Sequence, residues 1–163
     1  MEYLTVMRPR IFKSIDAELV NVGFSSPIRQ KRIVRKFAVA LAREARFDFA
    51  PYNESCEDKE ACVFSDAVND RNGVLSYIPW GACGFRPFMG ERLFSWVWIL
   101  PSKRGQCLLS KFWDQIVDKY APFVFEPPFT KSGLAFAKHY GTIVSIDDGK
   151  GGKIECLGVP RKT

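Results

Sequence analysis

Histidine is almost missing from this sequence, where His139 stands alone. Any mechanism that needs two imidazoles is excluded, and a cluster of histidine metal ligands or a Ser-His-Asp hydrolase is a poor fit to this count. Cysteine is sparse and odd in number, at positions 56, 62, 83, 107 and 156, with no CxxC pair. A disulfide framework and a structural zinc site are therefore not expected, so no metal is assigned and reduced thiols in a cytoplasmic compartment are the expectation. Long hydrophobic runs are lacking too. The longest, Leu93 to Leu100, is broken by Ser95 and stopped by Pro101, far short of the roughly 20 residues that cross a bilayer. No basic segment followed by an apolar stretch opens the chain, so neither a secretion signal nor a membrane partner is expected. Internal repeats and low-complexity tracts are likewise not visible.

What is present fits one domain, 1–163. Hydrophobic residues reach 47% against 26% charged, enough apolar surface to offset the entropy of ordering. Aromatics are high at 14%, which calls for either a dense core or an aromatic-lined cleft. The net charge of +6 permits a polyanionic partner, whether nucleic acid or a phosphate-bearing cofactor, and equally a solvated positive face.

Met1 to Val6 carries a weak strand pattern. Ser25-Ser26-Pro27 is a helix-start signature, and the helix that follows runs to about Arg46. Its apolar residues Ile33, Phe37, Ala40, Leu41 and Ala45 share one face, while Arg29, Lys31, Arg32, Arg35, Lys36 and Arg43 lie on the other. That basic side is a candidate surface for nucleic acid or an acidic partner; the plainer alternative is a solvated helix face. Residues 49–71, with Pro51 and four acids from Glu54 to Glu60, read as an irregular insert. Asn72-Gly73 predicts a turn. Val74 to Ile78, Gly81 to Phe85 and Arg92 to Leu100 then predict a meander, the last of them apolar on both sides. Leu108, Phe112 and Ile116, with Leu109, Trp113 and Val117, form two adjacent ridges of one helix, ended by Pro122. Phe123 to Phe125 is a short strand, Ser132 to Tyr140 a helix closed by Gly141, and Thr142 to Ile146 with Ile154 to Leu157 a terminal hairpin. The class is α+β, a mixed and mostly antiparallel central sheet flanked by helices.

The informative segment joins the central strand to the helix after it. Pro101-Ser102-Lys103-Arg104-Gly105 places basic residues and a glycine where a helix begins. Free backbone N–H groups at a helix start carry the positive end of the dipole and make an anion seat suited to a pyrophosphate. Here the chain resembles the GNAT superfamily of acyl-CoA-dependent N-acyltransferases, whose cofactor turn often reads Pro-x-x-Arg-Gly-x-Gly-x-Gly/Ala. Pro101 to Gly105 matches the first part, while Cys107 stands where the second glycine is usual and Leu109 at the third small position. The resemblance covers roughly residues 73–157. It implies acetyl-CoA or another acyl-CoA as cofactor, held by Trp98, Ile99, Leu100, Lys103, Arg104, Gly105, Gln106 and Cys107. It also implies a gap between two splayed parallel strands, at Phe94 to Leu100 and Phe123 to Phe125, where the pantetheine arm enters.

Many members of that superfamily carry a tyrosine after Ala-Phe as the acid that protonates the leaving thiolate. Here Ala137 follows Ala135-Phe136, and Tyr140 lies three residues on. Phe125-Glu126-Pro127-Pro128 with Leu134 to Tyr140 is similar to the corresponding segments of the cohesin acetyltransferases, and an acid beside proline is also found in Mom-type phage DNA-modification proteins. The resemblance therefore implies Glu126 and Tyr140 as candidate catalytic residues, and Ser132, at the start of the same helical stretch, is a third candidate. A carboxylate at a strand end beside Phe125 is suited to take a proton from an attacking amine, and the alternative is a solvated loop acid. Ser132 serves equally well as a helix cap. Glu91, His139 and Cys107 are weaker candidates. The implied activity is acyl transfer to an amine on a protein, a small molecule or a nucleobase. The alternative from another class is a catalytically inactive GNAT-like module that holds nucleic acid on the basic helix.

Overall fold

The computed structural model describes residues 12–48 and 50–161, so the strand expected at Met1 to Val6 lies outside the described residues. Among them are seven strands and three α-helices: β1 Leu19–Val22, α1 Ile28–Ala45, β2 Glu60–Asn69, β3 Leu75–Phe88, β4 Glu91–Ile99, α2 Ser110–Tyr120, β5 Phe123–Phe125, α3 Lys131–Tyr140, β6 Thr142–Asp147 and β7 Lys153–Val159. The strands form one sheet in the order β1-β2-β3-β4-β5-β7-β6. β1–β2, β5–β7 and β6–β7 are antiparallel, and β4–β5 is parallel. The α+β class with a mostly antiparallel sheet is as expected.

By density of contacts the chain divides into two units. The first is Met1–Gly84 with Val97–Gln106. Here α1 packs on β1 and β2. Its buried row is Ile33, Val34, Phe37, Ala38 and Ala42, so the inward face is turned from the expected one, which counted Ala40, Leu41 and Ala45. Ser26 does not cap the helix; its hydroxyl accepts from the Gly23 amide at 2.9 Å. The expected insert at 49–71 is corrected by β2, whose Ala61 to Ser65 are all buried. The acids from Glu54 to Glu60 mask that strand in the sequence. The turn at Asn72-Gly73 is present, with Gly73 at φ 76°. β3 runs unbroken through Pro79, Gly81 and Pro87, where punctuation was expected. Gly81 is required by close approach, since a Cβ there would sit 2.9 Å from the Trp98 carbonyl oxygen.

The second unit is Phe85–Trp96 with Cys107–Thr163. Met89 and Gly90, at φ 50° and 83°, turn β3 into β4, the left-handed pair that matches strand twist. The aromatic excess is spent here on a dense core. The Phe94 ring lies 5.2 Å from Phe85, 5.4 Å from Phe125, 5.7 Å from Phe136 and 5.8 Å from Phe123. Truncating a ring so placed costs roughly 3–5 kcal/mol. The parallel β4–β5 ladder is short: Leu93 pairs with Val124 and Phe94 with Phe125, and the Glu126 amide then donates to the Phe94 carbonyl at 3.0 Å. α3 is capped by Thr130, whose hydroxyl accepts from the Gly133 amide at 3.0 Å, and not by Ser132. The terminal hairpin is as expected, in register from Thr142↔Gly158 to Asp147↔Lys153.

Candidate functional site

The turn after β4 is longer than the sequence predicts. Leu100 donates its N–H to Trp80 at 2.8 Å, and Pro101–Lys103 then forms one short 3-10 turn closed by the Lys103 and Arg104 amides. Gly105 and Cys107 take positive φ, 74° and 53°. α2 begins only at Ser110, with Leu109 at the cap position and 5% exposed. The helix was expected to start directly after Gly105; the two left-handed residues delay it, because neither conformation continues a right-handed helix.

This geometry leaves the amides from Gly105 to Leu109 without an acceptor among the described residues. Successive N–H groups in a segment that includes left-handed residues form an anion-binding concavity. Gln106 steadies the segment, its side-chain amide donating to the Ser102 carbonyl at 2.8 Å. The Cys107 thiol is exposed.

The cations of the turn are already engaged. Lys103 Nζ is 2.6 Å from Asp66 Oδ2. Arg104 donates twice to Glu44 at 2.7 Å, and its Nε donates to the Ile99 carbonyl at 2.9 Å. The Trp98 indole N–H also donates to Glu44, at 2.9 Å, and the Arg104 guanidinium lies 5.5 Å from the Trp98 ring centre. The Arg104 hydrogen bonds hold the Glu44 carboxyl below the ordinary carboxylate range, against the opposing effect of burial. Trp98 is buried, while Ile99 and Leu100 are half-buried.

Glu126 is not a solvated loop acid. Arg86 of β3 grips both its oxygens, with Nε at 3.1 and 2.9 Å and Nη2 on Oε1 as well, and the two side chains are 32% and 22% exposed. Tyr140 shares a hydrogen bond with Ser110 at the start of α2, and its ring lies 4.2 Å from Trp113. Ser132 is exposed on the first turn of α3. No hydrogen bond among the described residues joins Glu126, Ser132 and Tyr140. Sequence reasoning missed four partners: Arg86, Glu44, Asp66 and Ser110. Arg86 had a signal, a single charge at the end of the apolar run Gly81 to Phe85; the others had none, because their contacts are distant in sequence.

The basic residues of α1 divide into kinds. Lys31 is 8% exposed with its ammonium 4.9 Å from the Phe24 ring centre, and Arg35 is ion-paired with Glu54 at 3.0 Å. Arg29, Arg32, Lys36 and Arg43 are exposed. No group of acids, cysteines and histidines among the described residues is placed to hold a metal ion. None of the described helices is long and apolar enough to cross a membrane. Comparison with known protein families and with curated proteins finds no match.

Proposed function

We propose that this chain is an acyl-CoA-dependent N-acyltransferase that moves an acetyl or related acyl group to an amine. The observation that carries this reading is the run of amides from Gly105 to Leu109 with no acceptor among the described residues, at a turn where the diphosphate of an acyl-CoA would supply four non-bridging oxygens. The parallel β4–β5 ladder supports it. That ladder stops at Phe94↔Phe125 while β4 continues to Ile99, the stretch the GNAT resemblance assigns to the pantetheine arm. In this reading Glu126 takes the proton from the amine as its nitrogen attacks the thioester carbonyl. The carbon–sulfur bond then breaks, and Tyr140, backed by Ser110, returns a proton to the departing thiolate. Arg86 positions Glu126.

A second reading is favoured by a specific observation. Lys103 and Arg104, the cations of the turn, are each neutralised by a carboxylate. A non-catalytic module with this scaffold would use them only to fasten the turn. Calorimetric titration with acetyl-CoA, paired with release of free thiol in the presence of amine acceptors, separates the two. Micromolar binding that weakens in Arg104→Ala, together with turnover lost in Glu126→Gln at unchanged cofactor affinity, supports the transferase. No heat at millimolar acetyl-CoA refutes it.

A further inference from the structure

We propose that the outer face of α1 is a docking surface for double-stranded DNA, held by Arg29, Arg32, Lys36 and Arg43 on its phosphate backbone. The proposal stands on α1 alone and goes beyond the transferase reading.

At 100° per residue these four positions fall within one 60° sector of the helix, opposite the buried row through Val34 and Ala38. All four are exposed. None makes an ion pair with any described residue; Lys36 lies 5.0 Å from the Phe12 ring centre. The first turn of α1 holds no acid. Its sole carboxylate, Glu44, is occupied by Arg104. The stripe is therefore positive along its whole length, about 21 Å at 1.5 Å per residue from Arg29 to Arg43. Between Lys36 and Arg43 the same side carries the short side chains Val39 and Ala40, so the ridge stays narrow.

Three features select the partner. Repeated guanidinium groups spaced along a rigid line match a regular chain of phosphates rather than a single carboxylate patch. The ring that lies against the stripe, Phe12, is half-buried with the Lys36 ammonium over it, so no row of open rings is offered to unpaired bases, which argues against a single strand. An exposed helical ridge fits the roughly 12 Å wide major groove of B-form DNA and not the narrow deep groove of duplex RNA. A lipid surface is disfavoured because the apolar side of α1 is turned into the protein.

The test is fluorescence anisotropy of the full chain with a labelled 24-base-pair DNA duplex between 50 and 200 mM salt. Four phosphate contacts give a logarithmic salt slope of about −3.6, which is about a 150-fold loss of affinity over that range. The double variant R32E/K36E is expected to bring the slope to about −1.8. The control K150E/K153E changes net charge equally, on exposed positions of the terminal hairpin, and is expected to leave the slope alone. Should R32E/K36E fail to fold by circular dichroism, R29Q/R43Q carries the same expectation. Equal loss in variant and control overturns the proposal. So does duplex binding that is absent at 50 mM salt, or matched by single-stranded DNA, duplex RNA or poly-glutamate of equal length. Acetyl-CoA titration reads a different property, so failure here leaves the transferase reading standing, and the reverse holds.

Discussion

Replacing Glu44 by glutamine separates the two readings of the turn. Glu44 accepts two hydrogen bonds from Arg104 and one from the Trp98 indole, at 2.7, 2.7 and 2.9 Å. Glutamine keeps the shape but loses the charge, and its amide nitrogen faces a guanidinium nitrogen that needs an acceptor. The side chains of Arg104 and Glu44 are 41% and 48% exposed, so solvent screens the pair and about 1 kcal/mol is its upper worth. In a chain of this length that lowers the melting temperature by about 2–4 °C. The pH dependence follows from the depressed carboxyl. Its stabilisation is present above the unfolded carboxylate range and lost as pH falls through the folded value, so wild type and Glu44→Gln converge in acid. Cofactor affinity moves the other way. If Arg104 serves a diphosphate, freeing it from Glu44 tightens acetyl-CoA binding by up to about 5-fold, which is that same 1 kcal/mol. Differential scanning calorimetry at neutral and acid pH, with titration of acetyl-CoA, reads both quantities. A fall in melting temperature with unmoved affinity makes Arg104 a fastener of the turn and removes it from the cofactor site. An unchanged melting temperature at every pH refutes the reasoning about Glu44 altogether.

Other perturbations test the fold around these sites. Tyr52 is 2% exposed, and burial first, then the neighbouring Cys56 and Glu54, pushes its hydroxyl up to about 12. The unfolded chain ionises near pH 10, so the stability is complete below that and lost as pH rises to 12, on the order of 2–3 kcal/mol in all. Denaturant midpoints taken from pH 9 to 12 should show the fall in wild type and a flatter curve in Tyr52→Phe. A Cβ at Gly158 would lie 2.7 Å from both the Phe123 carbonyl oxygen and Val144 Cγ2, so Gly158→Ala is expected to lose about 1–3 kcal/mol in urea titration. The Ser65 hydroxyl is buried without a partner among the described residues, and Ser65→Ala is expected to raise the denaturant midpoint by about 1 kcal/mol of stability.

The elements that the sequence made legible are those whose periodicity and local chemistry agree. α2 presents two complete apolar ridges, and its buried residues Phe112, Ile116 and Val117 lie on them. β4 and β5 are short apolar runs bounded by turn residues. β2 was hidden because its buried stretch Ala61 to Ser65 is brief and enters from Glu60, at the edge of an acidic loop. β3 was cut in two because Pro79 and Gly81 read as stops; the close approach of the Trp98 carbonyl makes the glycine part of the strand instead. Around the turn, Gly105 was read as a glycine at a helix start, and neither its left-handed conformation nor that of Cys107 at φ 53° was foreseen, since only the fold compels a cysteine into that region. The pairings of Glu126 with Arg86 and of Arg104 with Glu44 span 40 and 60 residues, so that even Arg86, whose lone charge ends an apolar run, gave no sign of its partner.

Those pairings also decide where the positive charge of the chain can act. A net charge of +6 spread evenly would give a weak, uniform field. Glu44, Glu54, Asp66 and Glu126 instead each hold one base, Arg104, Arg35, Lys103 and Arg86. Every basic residue at the turn and beside Glu126 is thereby compensated locally, while Arg29, Arg32, Lys36 and Arg43 are not. Four of the exposed bases that make no ion pair with a described residue therefore line up on one ridge of α1, while others, Lys150 and Lys153 among them, stand on separate elements. A diphosphate at Gly105 to Leu109 would therefore meet backbone dipoles with little net side-chain charge, which makes its binding weakly sensitive to salt. A polyanion on α1 would meet bare cations and release counterions, which makes its binding steeply sensitive. Unequal salt responses, shallow for one and steep for the other, are the expected consequence of this partition for two phosphate-bearing ligands on one chain, and equal responses would mean that both ligands share one surface.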